Sequence, residues 1–208
     1  AVFAFYFAYD LVQESELARA NRELARAKQS ELRHLPGADV EHYTFDITHG
    51  IGAAPLMVRA TLDVHNPHAQ ALDSLIFSLN EEMKVRKVTY QGGEIPFKQQ
   101  YQLLFLELEG VYLGPGGKGR ITIEYDGAHI EWKAYALDLI EDEKGILDRM
   151  NGPWKQDEAL GFLSSDFAFL PSQVGWYPMS GVQSSYPVNE NPPLDFATAD
   201  FTILAQGC

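Results

Sequence analysis

Residues 55–64 read PLMVRATLDV, and this stretch decides the fold class. Apolar side chains occupy every second position and alternate with Met57, Arg59, Thr61 and Asp63. Successive side chains of a β-strand point to opposite faces, so a period of two is typical of a strand that is buried on one face. We therefore predict a strand whose inward-facing residues are Leu56, Val58, Ala60, Leu62 and Val64.

The stretches around it show the same period. Tyr43, Phe45 and Ile47 alternate in EHYTFDITHG, Asn66-Pro67 supplies a turn, and Gln91-Gly92-Gly93 supplies a hairpin turn. Further strands are predicted in LDSLIFSLN, MKVRKVTYQGGEIPF, YQLLFLELEG and GRITIEYDG. Short strands that follow one another without helices between them indicate an antiparallel β-sandwich, which we assign to residues 41–208. The acidic stretch LDLIEDEKG suggests a small helical insert at about 134–160.

Residues 169–180, FLPSQVGWYPMS, form the most unusual loop of the chain. Two prolines, a glycine and three large aromatic residues leave little room for regular structure. The loop is interpreted first as apolar packing that ties parts of the protein together, because few polar groups converge in it. The second interpretation is a wall of a cleft or an interface, and its candidate residues are Gln173, Trp176 and Tyr177.

The N-terminus has a different character. Residues 1–9, AVFAFYFAY, are wholly apolar or aromatic but too few to cross a bilayer, which takes ~20 residues. Three interpretations remain open: the end of a transmembrane helix, a helix end packed in a groove, or an effect of where the chain was cut. Residues 10–35 contain no glycine and end at Leu35-Pro36-Gly37, which predicts a linker or stalk helix. Self-association through residues 1–9 is also expected.

Charge and cysteine content exclude several classes of protein. Residues 1–34 carry five acidic and five basic residues, so the whole net charge of −13 falls on residues 35–208. A domain this acidic repels phosphate backbones, so a nucleic-acid partner is not expected. The single cysteine, Cys208, excludes an intramolecular disulfide and a cysteine metal cluster.

No catalytic constellation is recognisable. The sequence contains no H-E-x-x-H, no G-x-S-x-G and no phosphate-binding glycine motif. His65 and His68 flank Asn66-Pro67 without a third ligand at zinc-site spacing, so we interpret this segment as a solvated hairpin. We predict no catalytic, cofactor-binding or metal-binding residue, and no enzyme activity, for this chain.

The order of these motifs resembles a known family. YTFDI, the long alternating strand, the Asn-Pro turn, LDSLIFSL, the hairpin KVTYQGGEIPF, LFLEL and ITIEYDG are similar to the N-terminal β-sandwich of the aminopeptidase N (gluzincin zinc metallopeptidase) family. The resemblance covers about residues 41–127, with a looser continuation through 161–206. It implies a non-catalytic sandwich that precedes a zinc-binding catalytic domain, so zinc would belong to a following domain.

The departures from the family pattern limit what can be transferred. The zinc-binding helix and the G-x-M-E-N motif are absent, and PSQVGWYP stands where the family has a substrate-binding segment, so that role is not carried to Gln173. The layout of residues 1–50 resembles divergent members fused to ABC-type permease regions. This resemblance implies attachment to a membrane through the N-terminal helix, an extracytoplasmic location and a following catalytic-like domain as partner. The alternative is an independent protein- or glycan-binding module displayed on a helical stalk.

Overall fold

The computed structural model describes residues 34–49, 56–80, 82–100, 102–108, 110–127, 175–182 and 197–205, six positions between Leu24 and Leu32, and the backbone at 162–163 and 168–169. The six N-terminal positions are helical. Residues 1–9, the remainder of the predicted helix at 10–35 and the insert predicted at about 134–160 lie outside the described residues. The long N-terminal helix therefore stays a prediction.

The described chain is built mainly from β-strands. Its strands are β1 (Asp39–His49), β2 (Leu56–His65), β3 (Ser74–Ser78), β4 (Met83–Tyr90), β5 (Gly93–Glu94), β6 (Phe97–Gln100), β7 (Leu103–Glu107), β8 (Lys118–Gly127), β9 (Phe162–Leu163), β10 (Ala168–Phe169), β11 (Met179–Ser180) and β12 (Thr198–Ala205).

Two sheets enclose the core. The large sheet has the strand order β12-β1-β2-β8-β4-β5, and the small sheet has the order β11-β3-β7-β6; β9 and β10 pair with each other. Inward-facing side chains of both sheets belong to one cluster of buried residues. The predicted β-sandwich is confirmed at this level.

The alternation in β2 has the predicted direction. Leu56, Val58, Ala60, Leu62 and Val64 are all buried, whereas Met57 on the opposite face is half exposed. The registers align the buried residues of neighbouring strands, for example Phe45 with Ala60 and Ala60 with Ile123. A shift by one residue would turn this apolar face to solvent, so the hydrophobic pattern sets the register.

The prediction of a wholly antiparallel arrangement is wrong at one edge. β12 pairs with β1 in parallel, and Phe45 lies beside Phe201 in the register. Parallel neighbours need a connection of about a dozen residues or more. β8 ends at Gly127 and β12 begins at Thr198, so the chain between them is long enough to return β12 in either direction.

The hairpin predicted at residues 91–93 is confirmed and is tight. Tyr90 pairs with Gly93, which leaves Gln91 and Gly92 as a two-residue loop. Both loop residues have positive φ, at 52° and 86°. This is the type I′ geometry that matches the twist of the flanking strands.

β4 departs from strict alternation at Arg86. Val85 pairs with Tyr125 and Lys87 with Glu124, so Arg86 is an extra residue in a β-bulge. The bulge lets Met83 before it and Val88 after it both face the core. Arg86 itself forms an ion pair with Asp126 on β8.

The interpretation of residues 65–68 as a solvated hairpin is wrong. β2 belongs to the large sheet and β3 to the small one, so this segment crosses between the sheets. Asn66 is fully buried, and its amide donates to the carbonyl oxygens of Gln70 and Leu113, each at 2.8 Å. Its Oδ1 accepts a hydrogen bond from the backbone N–H of His68 at 2.9 Å. A buried amide satisfied in this way fixes the crossing.

Within the described ranges, no helix combines the length and the apolar character needed to cross a membrane.

Candidate functional site

The described end of the unusual loop, residues 175–180, is anchored to both sheets. The Gly175 carbonyl accepts a hydrogen bond from the Asn80 N–H at 2.9 Å, just after β3. The Tyr43 hydroxyl on β1 donates to the Pro178 carbonyl at 3.0 Å. Met179 then pairs with Ser78 as β11. Because these bonds reach both sheets, the segment closes one side of the sandwich.

Trp176 packs into the sandwich core. Its side chain is 8% exposed, and its ring lies 5.3 Å from that of Phe45 and 5.1 Å from that of Tyr177. Gly175 adopts φ 62°, a left-handed conformation that glycine accommodates without strain, immediately before this ring. Burial of a large aromatic side chain contributes about 2–3 kcal/mol to folding, which holds the course of the loop.

The aromatic cluster continues from the core to the surface. Phe45 stacks on Tyr43 at 5.4 Å on one side and on Phe201 at 5.1 Å on the other. Tyr177 meets Phe45 edge to face at 5.9 Å and is partly buried. Phe201 is 54% exposed. The outer part of the cluster, formed by Tyr177 and Phe201, is a surface on which an apolar or planar group could stack.

A tyrosine hydroxyl is buried beneath this cluster. Tyr125 is fully buried, and its hydroxyl has no hydrogen-bond partner within the part of the chain that the structure describes. Desolvation, assisted by the nearby phenols of Tyr43 and Tyr177, raises the pKa of Tyr125 well above its usual range. The neutral hydroxyl is therefore the form present at physiological pH, and Tyr125 is not poised to act as a base.

The outer face of the large sheet offers a second candidate, a groove of about 390 Å³. Four of its five charged residues form two pairs, and Asp46 is the fifth: Arg59 donates to Glu124 at 2.9 Å, and Arg86 pairs with Asp126. Paired exposed charges leave little net field to attract a charged ligand. The groove is lined by Asp46, Thr48, Met57, Val58, Arg59, Arg86, Glu124, Tyr125 and Asp126.

The same face carries a third ion pair nearer its other end. Arg120 donates through Nε to Asp63 at 2.7 Å, and this hydrogen bond lowers the pKa of the Asp63 carboxyl. The series of cross-strand pairs is a solvated polar face. It stabilises strand pairing modestly rather than forming a catalytic centre.

The structure describes two of the three candidate residues named from the sequence. Trp176 belongs to the core cluster, and Tyr177 lies against it. Gln173 lies outside the described residues. Phe45 and Phe201, which complete the aromatic cluster, were not singled out as site residues. Their strands are far apart in sequence, and only the β1–β12 pairing brings them together.

Within the described ranges, no group of three or more histidine, cysteine, aspartate or glutamate side chains is placed to hold a metal ion.

Comparisons with known proteins give likenesses of low identity and partial coverage. No protein-family model and no curated protein matches the chain. A crystal structure of an M1 zinc metallopeptidase from Deinococcus radiodurans is 21% identical over 82% of this chain and 32% of its own, with a TM-score of 0.47. A mutant of that enzyme is 26% identical over 45% of this chain and 21% of its own, with a TM-score of 0.39. Native yeast LTA4 hydrolase is 13% identical over 43% of this chain and 14% of its own, with a TM-score of 0.36.

The chain thus spans about a third of the length of the M1 zinc metallopeptidase that it matches.

Proposed function

We propose that this chain is a non-catalytic β-sandwich module of an aminopeptidase-like protein, in which it docks a catalytic-like domain and helps to shape a peptide-binding cleft. The motif order in residues 41–127 supports the family relationship. The observation that carries the docking role is the anchored segment 175–180, which joins both sheets and extends an aromatic cluster to the surface. A rigid loop of this kind can hold a cleft-facing side chain in place.

Within that proposal, the loop residues have separate tasks. Trp176 fixes the loop to the core, where it is 8% exposed. Tyr177 forms part of the wall beside it, because one side of its ring packs on Phe45. Gln173 faces the cleft, and the Gln173→Ala variant described below tests for a hydrogen bond from its amide to the peptide. The zinc ion belongs to the following domain.

The N-terminal segment is proposed to attach the module to a membrane. Residues 1–9 continue a transmembrane helix, as in permease-fused members of the family, and residues 10–35 lift the sandwich off the extracytoplasmic surface. The supporting observation is the position of nine apolar residues directly before a charge-balanced, glycine-free segment.

Reading the gene on both sides of this chain tests the architecture. We expect an apolar extension upstream of Ala1 that completes the ~20 residues of a membrane span. Downstream of Cys208 we expect a second domain with an H-E-x-x-H motif. A stop codon directly after Cys208 would contradict the docking role and favour the independent protein- or glycan-binding module.

Kinetics of the longer protein test the role of Gln173. We expect Gln173→Ala to raise KM for a peptide substrate about tenfold, the effect of losing one well-placed hydrogen bond, with little change in the melting temperature of the 208-residue chain. Gln70→Ala, at an exposed loop position that contributes its backbone carbonyl, is the matched control. An unchanged KM for Gln173→Ala would refute the assignment.

A further inference from the structure

The exposed edges of the two sheets are protected to different degrees. β5 and β11, which end the large and the small sheet, are two residues long, and β6 at the other end of the small sheet has four residues, including Lys98. Short or charged edges resist pairing with other chains. β12 ends the described large sheet with eight residues and a single charge, Asp200.

β12 also exposes apolar side chains on both faces. Phe201 and Ile203 lie on the core side of the sheet, beyond the cover of the small sheet, and are 54% and 66% exposed. Leu204 on the outer face is 56% exposed. No other strand among the described residues pairs with the outer edge of β12. A long apolar edge strand favours the addition of another strand.

We propose that β12 pairs antiparallel with β12 of a second copy of this chain, about a two-fold axis at Thr202. A two-fold axis that extends the sheet across this edge is perpendicular to the plane of the sheet. Opposed residues of the two copies therefore project from the same face of the combined sheet. Centring on Thr202 places Phe201 opposite Ile203 of the second copy and Thr202 opposite its own equivalent. Aromatic–β-branched and Thr–Thr pairs are both favourable across antiparallel strands.

The charges are compatible with this arrangement. Asp200 lies opposite Leu204 of the second copy, and the two Asp200 residues are about 14 Å apart along the strands, beyond the ~8 Å Debye length at physiological ionic strength. His42 on β1 lies 3.4 Å from Asp200. Asp46 on β1, beside Thr202 in the register, is another acidic residue close to the axis.

Position-specific crosslinking tests the pairing in the 208-residue chain with Cys208→Ser. Thr202→Cys places two thiols directly opposite each other, about 4.5–5.5 Å apart between Cα atoms, within reach of a disulfide. Leu204→Cys places its two thiols about 14 Å apart along the strands, which is too far. We expect a mild oxidant to crosslink the Thr202→Cys variant at least about tenfold faster than the Leu204→Cys variant.

Introducing a positive or a negative charge at residue 204 tests the same register without crosslinking. Leu204→Lys creates two pairs with Asp200 of the other copy, whereas Leu204→Asp opposes like charges. Sedimentation equilibrium of these variants without residues 1–9, where self-association is also expected, should give dimer dissociation constants that differ about tenfold. Gln91→Lys and Gln91→Asp, at the exposed turn between β4 and β5 on the far edge of the large sheet, make the same changes in net charge away from β12 and should match each other.

The outcomes separate the alternatives. Faster crosslinking at residue 202 and tighter association of Leu204→Lys support the pairing about Thr202. Equal crosslinking at both positions, absence of crosslinking at residue 202, or equal dissociation constants for the two residue-204 variants would overturn it.

Discussion

Trp176 distinguishes the two interpretations of residues 169–180, which are apolar packing and a wall of a cleft or an interface. A cleft-facing tryptophan and a core tryptophan can have the same sequence context, but here the ring is 8% exposed and packs on Phe45. Its first task is therefore to hold residues 175–180 against the sandwich. A role of the loop at a cleft would then depend on neighbours such as Tyr177, which is only partly buried.

Truncation of Trp176 tests this assignment. We expect Trp176→Ala to lower the free energy of unfolding of the 208-residue chain by ~3 kcal/mol or more, because it leaves a cavity beside Phe45. Tyr112→Ala removes an aromatic ring that is 64% exposed and should cost much less. Urea denaturation measures both. Equal losses for the two variants would show that the Trp176 ring is not part of the core.

Single backbone positions determine the local geometry of β4 and of the hairpin that joins it to β5. The β4–β5 hairpin turns at Gln91 and Gly92, both with positive φ, and the bulge at Arg86 restores the inward direction of Val88. A two-residue turn in this conformation needs residues that tolerate the left-handed region. The stretch Gln91-Gly92-Gly93 in the sequence was sufficient to predict a hairpin turn, and the structure places its two loop residues at Gln91 and Gly92.

Substitution of Gly92 measures the cost of that geometry. A Cβ at Gly92 would contact nothing within 4 Å, so Gly92→Ala tests backbone strain alone at φ +86°. We expect a loss of about 1–2 kcal/mol in the free energy of unfolding. Gly93→Ala is the adjacent control, since a Cβ there makes only ordinary contact, at 3.6 Å from the Tyr90 carbonyl oxygen. A loss for Gly93→Ala as large as that for Gly92→Ala would contradict the type I′ assignment.

The stability of the whole domain at alkaline pH depends on Tyr125. Burial raises the pKa of Tyr125 above its value in the unfolded chain, so the unfolded state releases this proton first. The contribution of Tyr125 to the free energy of unfolding is fully present below about pH 10. It is lost as the pH rises toward the pKa of Tyr125 in the folded state, at up to about 1.4 kcal/mol per pH unit.

Tyr125→Phe removes this dependence and a buried hydroxyl. We expect the variant to be as stable as the wild type at pH 7 or more stable by roughly 1 kcal/mol. Its free energy of unfolding should also fall less steeply above pH 10. Guanidinium titrations at several pH values measure both effects, with Tyr112→Phe as an exposed control. A wild type and a Tyr125→Phe variant with the same alkaline slope would argue against the raised pKa.

The sequence determined the local features because they depend on neighbouring residues. Alternation in residues 55–64 gave β2 and its inward face, and Gln91-Gly92 gave the hairpin turn. Two sheets around a core followed from a series of such strands. Each of these patterns is complete within about ten residues, so no long-range information was required.

Only the tertiary structure decided which distant segments meet. The parallel β1–β12 pairing, the burial of Asn66 between the sheets and the cluster of Phe45, Trp176 and Phe201 join residues far apart in the chain. A long connection allows β12 to return in either direction, and an Asn-Pro turn has the same sequence whether it is solvated or buried. These choices are made by packing across the whole sandwich, where burial and hydrogen bonding are determined together.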